Sequence, residues 1–410
     1  MNGVKTEKTI VNYQPHIVVL LGVPFTEQNY KRTGVAYLEH HFEVTVIDCN
    51  KWLYPDYALL NYQRHSYIDR IEVASMEALQ RLIASVKPDF AIDCLNVSPM
   101  KQQIRLELFR RDIPFVVRRT GLFPHLPRKK LLIHLLRYNP TYLFQRLKQR
   151  LTKLGDLTRT DLSPDIALLA GRSRSKLEAR PRLLEIAIAD DDVHFLREAR
   201  LKWLFRPVPQ RKAILFLDDC IAEAKDYLLT GLPIPMDVHK YYALLRKSFD
   251  IVEQVFACKV VVAAHPDGLH IPGYVEKFGP RDVRFGQTAG LALEAKLVIG
   301  HASTALSFAI MEKIPIVLLS CRELHSSFKG AHILAMQHAI KAPLVFMEDE
   351  GEQLVSACRG ARVDDVSYQN YIEEFLMMPG TKEEQPWGAF INYVNFYAKT
   401  NKQPCQSTRN

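Results

Sequence analysis

Three short stretches in the second half of this 410-residue chain combine residue types that can hold or transfer an anionic group. Asp218 and Asp219 follow an apolar run at 212–217 (KAILFL), with Asp226 farther on. A carboxylate at the end of a strand can reach a cleft and act on a substrate, or it can cap the next helix. His265-Pro266-Asp267-Gly268 follows a second run, 259–264 (KVVVAA). A histidine there can donate to a phosphate or deliver a proton near neutral pH, and Pro266 stops regular strand pairing. Pro-Asp-Gly is also turn vocabulary, so a plain hydrogen-bonded turn histidine is the alternative. Gly300-His301-Ala302-Ser303-Thr304 closes a third run, 297–300, and opens an apolar helical pattern over 303–313. Gly300 permits close backbone approach, and Ser303 or Thr304 can cap. Free amides at a helix start favour an anion. The stretch reads as a metal-free phosphate cradle or as a simply capped helix.

The elements that must position these residues alternate in type. Apolar runs at 16–22, 43–48, 89–93, 114–118 and 165–170 predict strands, separated by amphipathic helices over 32–42, 76–86 and 101–111. The rhythm restarts with strands at 212–217, 259–264, 283–285, 297–300, 314–319 and 343–347. Helices are predicted between them over 238–257, 288–295, 303–313 and 331–340, and at the end over 368–377 and 387–398. Such alternation implies right-handed crossovers and parallel sheets, hence an α/β chain of two Rossmann-like domains facing each other across a cleft. The expected boundaries are 14–190 for a first, acceptor-side domain and 210–365 for a second, donor-side domain. Helices over 366–400 are expected to pack back on the first. Ligands of such sheets bind outside the carboxyl ends of the strands, where all three stretches lie.

Composition narrows the class. Hydrophobic residues make up 48% of the chain, enough for substantial cores, and no window has the length and apolarity of a membrane span. Residues 1–13 are polar and lack the apolar core of a secretory signal. The seven cysteines are scattered without a CxxC pair, which argues against a disulfide framework or a cysteine zinc site and for a reducing cytoplasm. No GxGxxG or Walker loop supports a dinucleotide enzyme or a P-loop ATPase. Asp190-Asp191-Asp192 contains a D-x-D, read as a solvated loop in the bridge between domains. No His/Cys cluster has metal spacing, so no essential metal is expected.

The net charge of +9 is local: residues 101–154 hold fourteen Lys and Arg against two acids, a net +12, leaving about −3 elsewhere. No nucleic-acid-binding signature accompanies it, so no nucleic-acid partner is expected. Within it, 127–154 interleaves leucines and aromatics with charges at helical spacing, divided at Pro140. This insert predicts either peripheral contact with an anionic leaflet or a core-packed helix with a solvated basic face.

Taken together, LDD, then HPDG, then GHASTAL followed by EKIPIVLL resembles the C-terminal domain of GT-B glycosyltransferases. More narrowly, it resembles bacterial enzymes that use CMP-activated ulosonic acids, the sialyltransferases and Kdo transferases. VPFTEQNYKRTGVAYLEHHFEVTVIDCNKWLYP is similar to the N-terminal domain of capsule and O-antigen transferases. The resemblance spans most of residues 14–345. It implies that His265, with Pro266, holds the donor phosphate, and that Ser303 and Thr304, with Gly300 and His301, form the Ser/Thr motif. Asp218 becomes the active-site carboxylate, with Asp219 the neighbouring alternative. The sialyltransferase-type acidic motif is missing from the first domain. An acidic pair opening the second domain is closer to the retaining β-Kdo transferases. The resemblance therefore implies transfer of Kdo from CMP-Kdo to a capsule, O-antigen or lipopolysaccharide acceptor, a glycan or glycolipid. The CMP-sugar is a co-substrate, and no cofactor is implied. A CMP-sialic acid donor, a UDP-sugar epimerase, a glycerophosphotransferase, or a nucleotide-sugar-binding assembly protein without catalysis are the alternatives.

Overall fold

A computed structural model describes residues 14–55, 66, 70–95, 99–138, 140, 163–172, 183–204, 211–223, 227 and 234–400. Asp226 and most of the insert beyond Tyr138 lie outside them. The first sheet contains β1 (His16–Leu21), β2 (Glu43–Asp48), β3 (Arg70–Glu72), β4 (Phe90–Cys94), β5 (Phe115–Arg119), β6 (Ile166–Ala170) and β7 (Leu184–Ile188). Its order is β3-β2-β1-β4-β5-β6-β7 and every pairing is parallel. The second contains β8 (Ala213–Leu217), β9 (Val260–Ala264), β10 (Asp282–Phe285), β11 (Ala295–Gly300), β12 (Ile316–Ser320) and β13 (Leu344–Phe346). Its order is β10-β9-β8-β11-β12-β13, again all parallel. Central strands such as β1 and β12 are buried on both faces, as continuous apolar runs require.

Two strands escaped the periodicity. β3 is three residues of largely exposed RIE, and β7 is a half-covered edge strand. Both lie at a margin of the sheet, where one flank has no neighbour and apolar patterning is weak. The helix expected over 32–42 is two pieces, Glu27–Arg32 and Val35–Leu38. Gly34 separates them at φ +86°, a left-handed conformation, and a Cβ there would lie 2.4 Å from the Trp387 ring.

Residues 190–204 are not a solvated bridge. Asp190 caps the helix Asp191–Trp203 by accepting from the Asp192 amide, and two further acids occupy its first turn. Asp190 and Asp191 are both buried. Val193 and Leu196 of this helix belong to the core of the second sheet, so the chain has already crossed by residue 193. The return also differs from expectation. Tyr368, Tyr371 and Leu376 still pack in the second core, whereas Trp387, Phe390, Ile391 and Val394 join the first. Trp387 and the helix Gly388–Thr400 therefore dock on the first sheet, whereas Tyr368–Leu376 stays with the second.

Candidate functional site

Each sheet reverses its order once. In the second, the reversal lies between β8 and β11, whose carboxyl ends lead into Asp218 and His301. Such a point opens a crevice for a ligand because the two connections leave in opposite directions.

Asp218 is buried and is the junction of this edge. Its Oδ1 accepts from the Cys220 amide at 3.0 Å, and its Oδ2 accepts from the His265 amide at 2.9 Å and the Tyr274 hydroxyl at 2.5 Å. The carboxylate thus ties the loop after β8 to the loop after β9. Burial pushes its pKa upward, and the donated hydrogen bonds oppose that rise. Asp219 differs: it is half-buried, and its Oδ1 is buried with no hydrogen-bond partner among the described residues. Its charge lies near enough to Tyr241 to help raise that phenol, after burial itself.

His265 opens the short 3-10 helix Pro266–His270. Its Nδ1 accepts from the Asp267 amide at 3.2 Å, so the neutral ring carries its proton on Nε2. The side chain is 37% exposed, and the Asp267 carboxylate lies 3.6 Å from its Nδ1. Pro266 takes the first helical position, where its missing N–H costs nothing.

The third stretch divides. Gly300 pairs with Leu217, and an added Cβ would lie 3.1 Å from the Leu217 carbonyl, so the sheet itself uses the missing side chain. The His301 ring is fully buried, with Nδ1 2.7 Å from the Leu319 carbonyl and Nε2 2.8 Å from the Tyr241 hydroxyl. A carbonyl can only accept, so Nδ1 holds the proton and Nε2 accepts from Tyr241. The His301 ring is thus committed to two partners in the core, and the expectation that His301 joins the donor site rests on its backbone. Ser303 Oγ accepts from the Ala305 amide at 3.2 Å, while Thr304 is exposed. Regular helix begins later than expected, at Leu306, after a turn in which Leu306 and Ser307 donate to the carbonyls of Ser303 and Thr304.

Sequence reasoning did not find Tyr274 or Tyr241, which hold Asp218 and His301, because lone tyrosines carry no spacing signal. It also missed Ser307, whose hydroxyl donates to Asp192. Among the described residues, Cys321, Glu323 and Glu348 form a group of metal-ligand type. Lys240 already neutralises Glu323, and burial pushes the Cys321 thiol up to about 12, which keeps it protonated at neutral pH. A groove of about 570 Å³ lined by Lys341, Pro343 and Gly360 opens at the start of β13, the opposite end of the strands from this edge.

The described part of the basic insert, the helix Arg128–Tyr138, has two faces. His134 and Leu135 are buried, His134 Nε2 lying 3.4 Å from the Ser327 carbonyl of the second domain. Leu126 packs with Ala331 and Ala335 of the helix Phe328–Ile340. Leu132, Ile133 and Leu136 are exposed.

No known family model matches this sequence, and no curated protein matches it at the level of sequence. Solved structures do match. The calicheamicin glycosyltransferase CalG4 is 14% identical, with 95% of this chain and 100% of that one covered at a TM-score of 0.51. A putative UDP-N-acetylglucosamine 2-epimerase from Listeria monocytogenes is 11% identical over 95% and 97% of the two chains, at 0.45. The wall teichoic acid polymerase TagF is 12% identical over 95% and 90%, also at 0.45. With two parallel sheets of seven and six strands joined across a cleft, the chain has the two-Rossmann-domain GT-B fold.

Proposed function

We propose that this protein is a glycosyltransferase that takes a CMP-activated ulosonic acid, Kdo in the first instance, and transfers it to a glycan or glycolipid acceptor of the bacterial surface. The observation that carries the reading is the second-domain edge. One buried carboxylate, Asp218, locks the amide of His265, and the His265 Nε2–H has no partner among the described residues, one strand from the reversal between β8 and β11. A proton donor held in that way is suited to a departing phosphate, because its orientation is set before the reaction begins.

In this mechanism His265 hydrogen-bonds the CMP phosphate, and the turn at Ser303 and Thr304 offers its amides and hydroxyls to the same group. Asp219 is only half-buried, its Oδ1 has no hydrogen-bond partner among the described residues, and it is assigned the reacting carboxylate; Asp218 positions His265. Retention then requires two displacements. Asp219 forms a bond to the anomeric carbon as the bond to the CMP phosphate breaks, and the acceptor hydroxyl next displaces Asp219 and gives up its proton to solvent. Peripheral membrane contact through Leu132, Ile133 and Leu136, beside Lys129 and Lys130, suits a lipid-linked acceptor at the inner cytoplasmic face.

Thermal shifts with CMP, UDP, CDP and GDP test the donor. Stabilisation by CMP above the others is expected; stabilisation by UDP alone would transfer the reading to a UDP-sugar epimerase or UDP-sugar transferase.

A further inference from the structure

We infer that the first domain carries an anion-binding subsite formed by Arg119, Arg105 and Lys101, which receives a phosphate or carboxylate group of the acceptor glycan. Its assignment to the acceptor rests on the transferase reading above, whereas the anion site itself does not.

The placement follows from strand alternation. Phe115 and Val117 of β5 point into the core that the helix Pro99–Arg110 covers through Ile104 and Leu108, so Arg119 continues that face beyond the core. Arg118, on the other face, is neutralised by Asp191 at 2.6 Å and lies 5.5 Å from the Trp387 ring. Arg119 has no acidic or carbonyl partner among the described residues. Nearby, Lys101 and Arg105 share a single carboxylate, Asp93, at 3.2 and 2.6 Å. Asp93 is almost wholly buried, so its charge is committed to these two cations. Two cations thus share one acid, with Arg119 near Arg105, and Lys101 lies in the first turn of a twelve-residue helix whose dipole is positive at that end.

Asp93 and the helix bearing Lys101 and Arg105 follow the reversal of the first sheet, between β1 and β4, and Arg119 lies one strand farther on, at the end of β5. Burial lowers the pKa of Arg119, and repulsion from Arg105 lowers it further; burial does the same to Lys101. A bound anion would relieve both effects. A planar guanidinium without a partner is suited to bidentate recognition of either a phosphate or a carboxylate.

Arginine labelling of the full chain by phenylglyoxal, followed by peptide mass spectrometry at constant ionic strength, tests this. Arg119 should react, and glucose 1-phosphate or glucuronate should slow its reaction about tenfold, while the exposed Arg359 stays unchanged. The probe that protects identifies the group recognised. Absence of reaction at Arg119, equal slowing at Arg359, or equal protection by uncharged glucose would each overturn the inference. Arg119→Gln should weaken binding of the protecting probe about tenfold and Arg119→Lys by less. Any stabilisation by CMP should survive both substitutions. If CMP fails to stabilise the wild type, the donor reading falls and protection at Arg119 still stands; if CMP binds and Arg119 is unprotected, only this inference falls.

Discussion

Ser307 donates a hydrogen bond to the Asp192 carboxylate at 2.5 Å, joining two helices 115 positions apart in sequence. Around this contact Asp190 receives the Gly121 amide and Asp191 pairs with Arg118, so three consecutive acids fasten the crossing between domains. Burial first, and the neighbouring Asp190 second, push Asp192 up to about 7, against the pull of Ser307 and Arg32. Asp191 adds to the rise, and the buried Tyr371 faces the same charges.

A pH dependence of stability follows. The folded chain keeps on Asp192 a proton that the unfolded chain releases near the ordinary carboxylate value of 3.8. The stabilisation is complete below that value and is lost as pH rises towards about 7. Asp192→Asn should therefore flatten the pH dependence of the unfolding free energy between about pH 4 and 7 and be more stable than wild type at pH 8. An unchanged slope would show that Asp192 titrates normally.

Asp218 and Asp219 should separate when each is substituted. Asp218→Ala leaves three buried donors without an acceptor and should cost about 2–4 kcal/mol in urea unfolding. Asp219→Asn should leave stability within about 0.5 kcal/mol, yet reduce turnover about a hundredfold or more. Near-normal turnover by Asp219→Asn would return the catalytic assignment to Asp218.

Gly34 tests the docking of the last helix. Gly34→Ala meets both a positive φ and the Trp387 ring, and should destabilise by about 2–3 kcal/mol. Trp387→Ala should make the same substitution milder, because one of its two causes is gone. Simple additivity of the two changes in thermal denaturation would contradict that contact.

For membrane contact, Ile133→Glu together with Leu136→Glu should release the protein from vesicles containing phosphatidylglycerol without lowering its melting temperature, since both side chains are exposed. Unchanged co-sedimentation would leave this face free for another role.

Much of this architecture is written in local pattern. Runs such as HIVVLL and IVLLS are buried on both faces and admit little but central parallel strands, so the two alternating halves were legible before any fold was known. The strand ends bearing Asp218, His265 and Ser303 were legible for the same reason: a ligand edge follows from strand direction. What each of those side chains does was decided only by tertiary neighbours. His301 resembles a ligand-binding histidine in sequence, yet Tyr241, sixty positions away, and the Leu319 carbonyl hold it in the core. Asp190–Asp192 reads as a solvated loop until Arg118 and Ser307 arrive from distant elements. Arg118 and Arg119 are adjacent and identical in type, but alternation sends them to opposite faces, one towards Asp191 and the other towards Arg105. Periodicity specifies which face a residue occupies; the charge or donor it meets there depends on segments that only folding brings together.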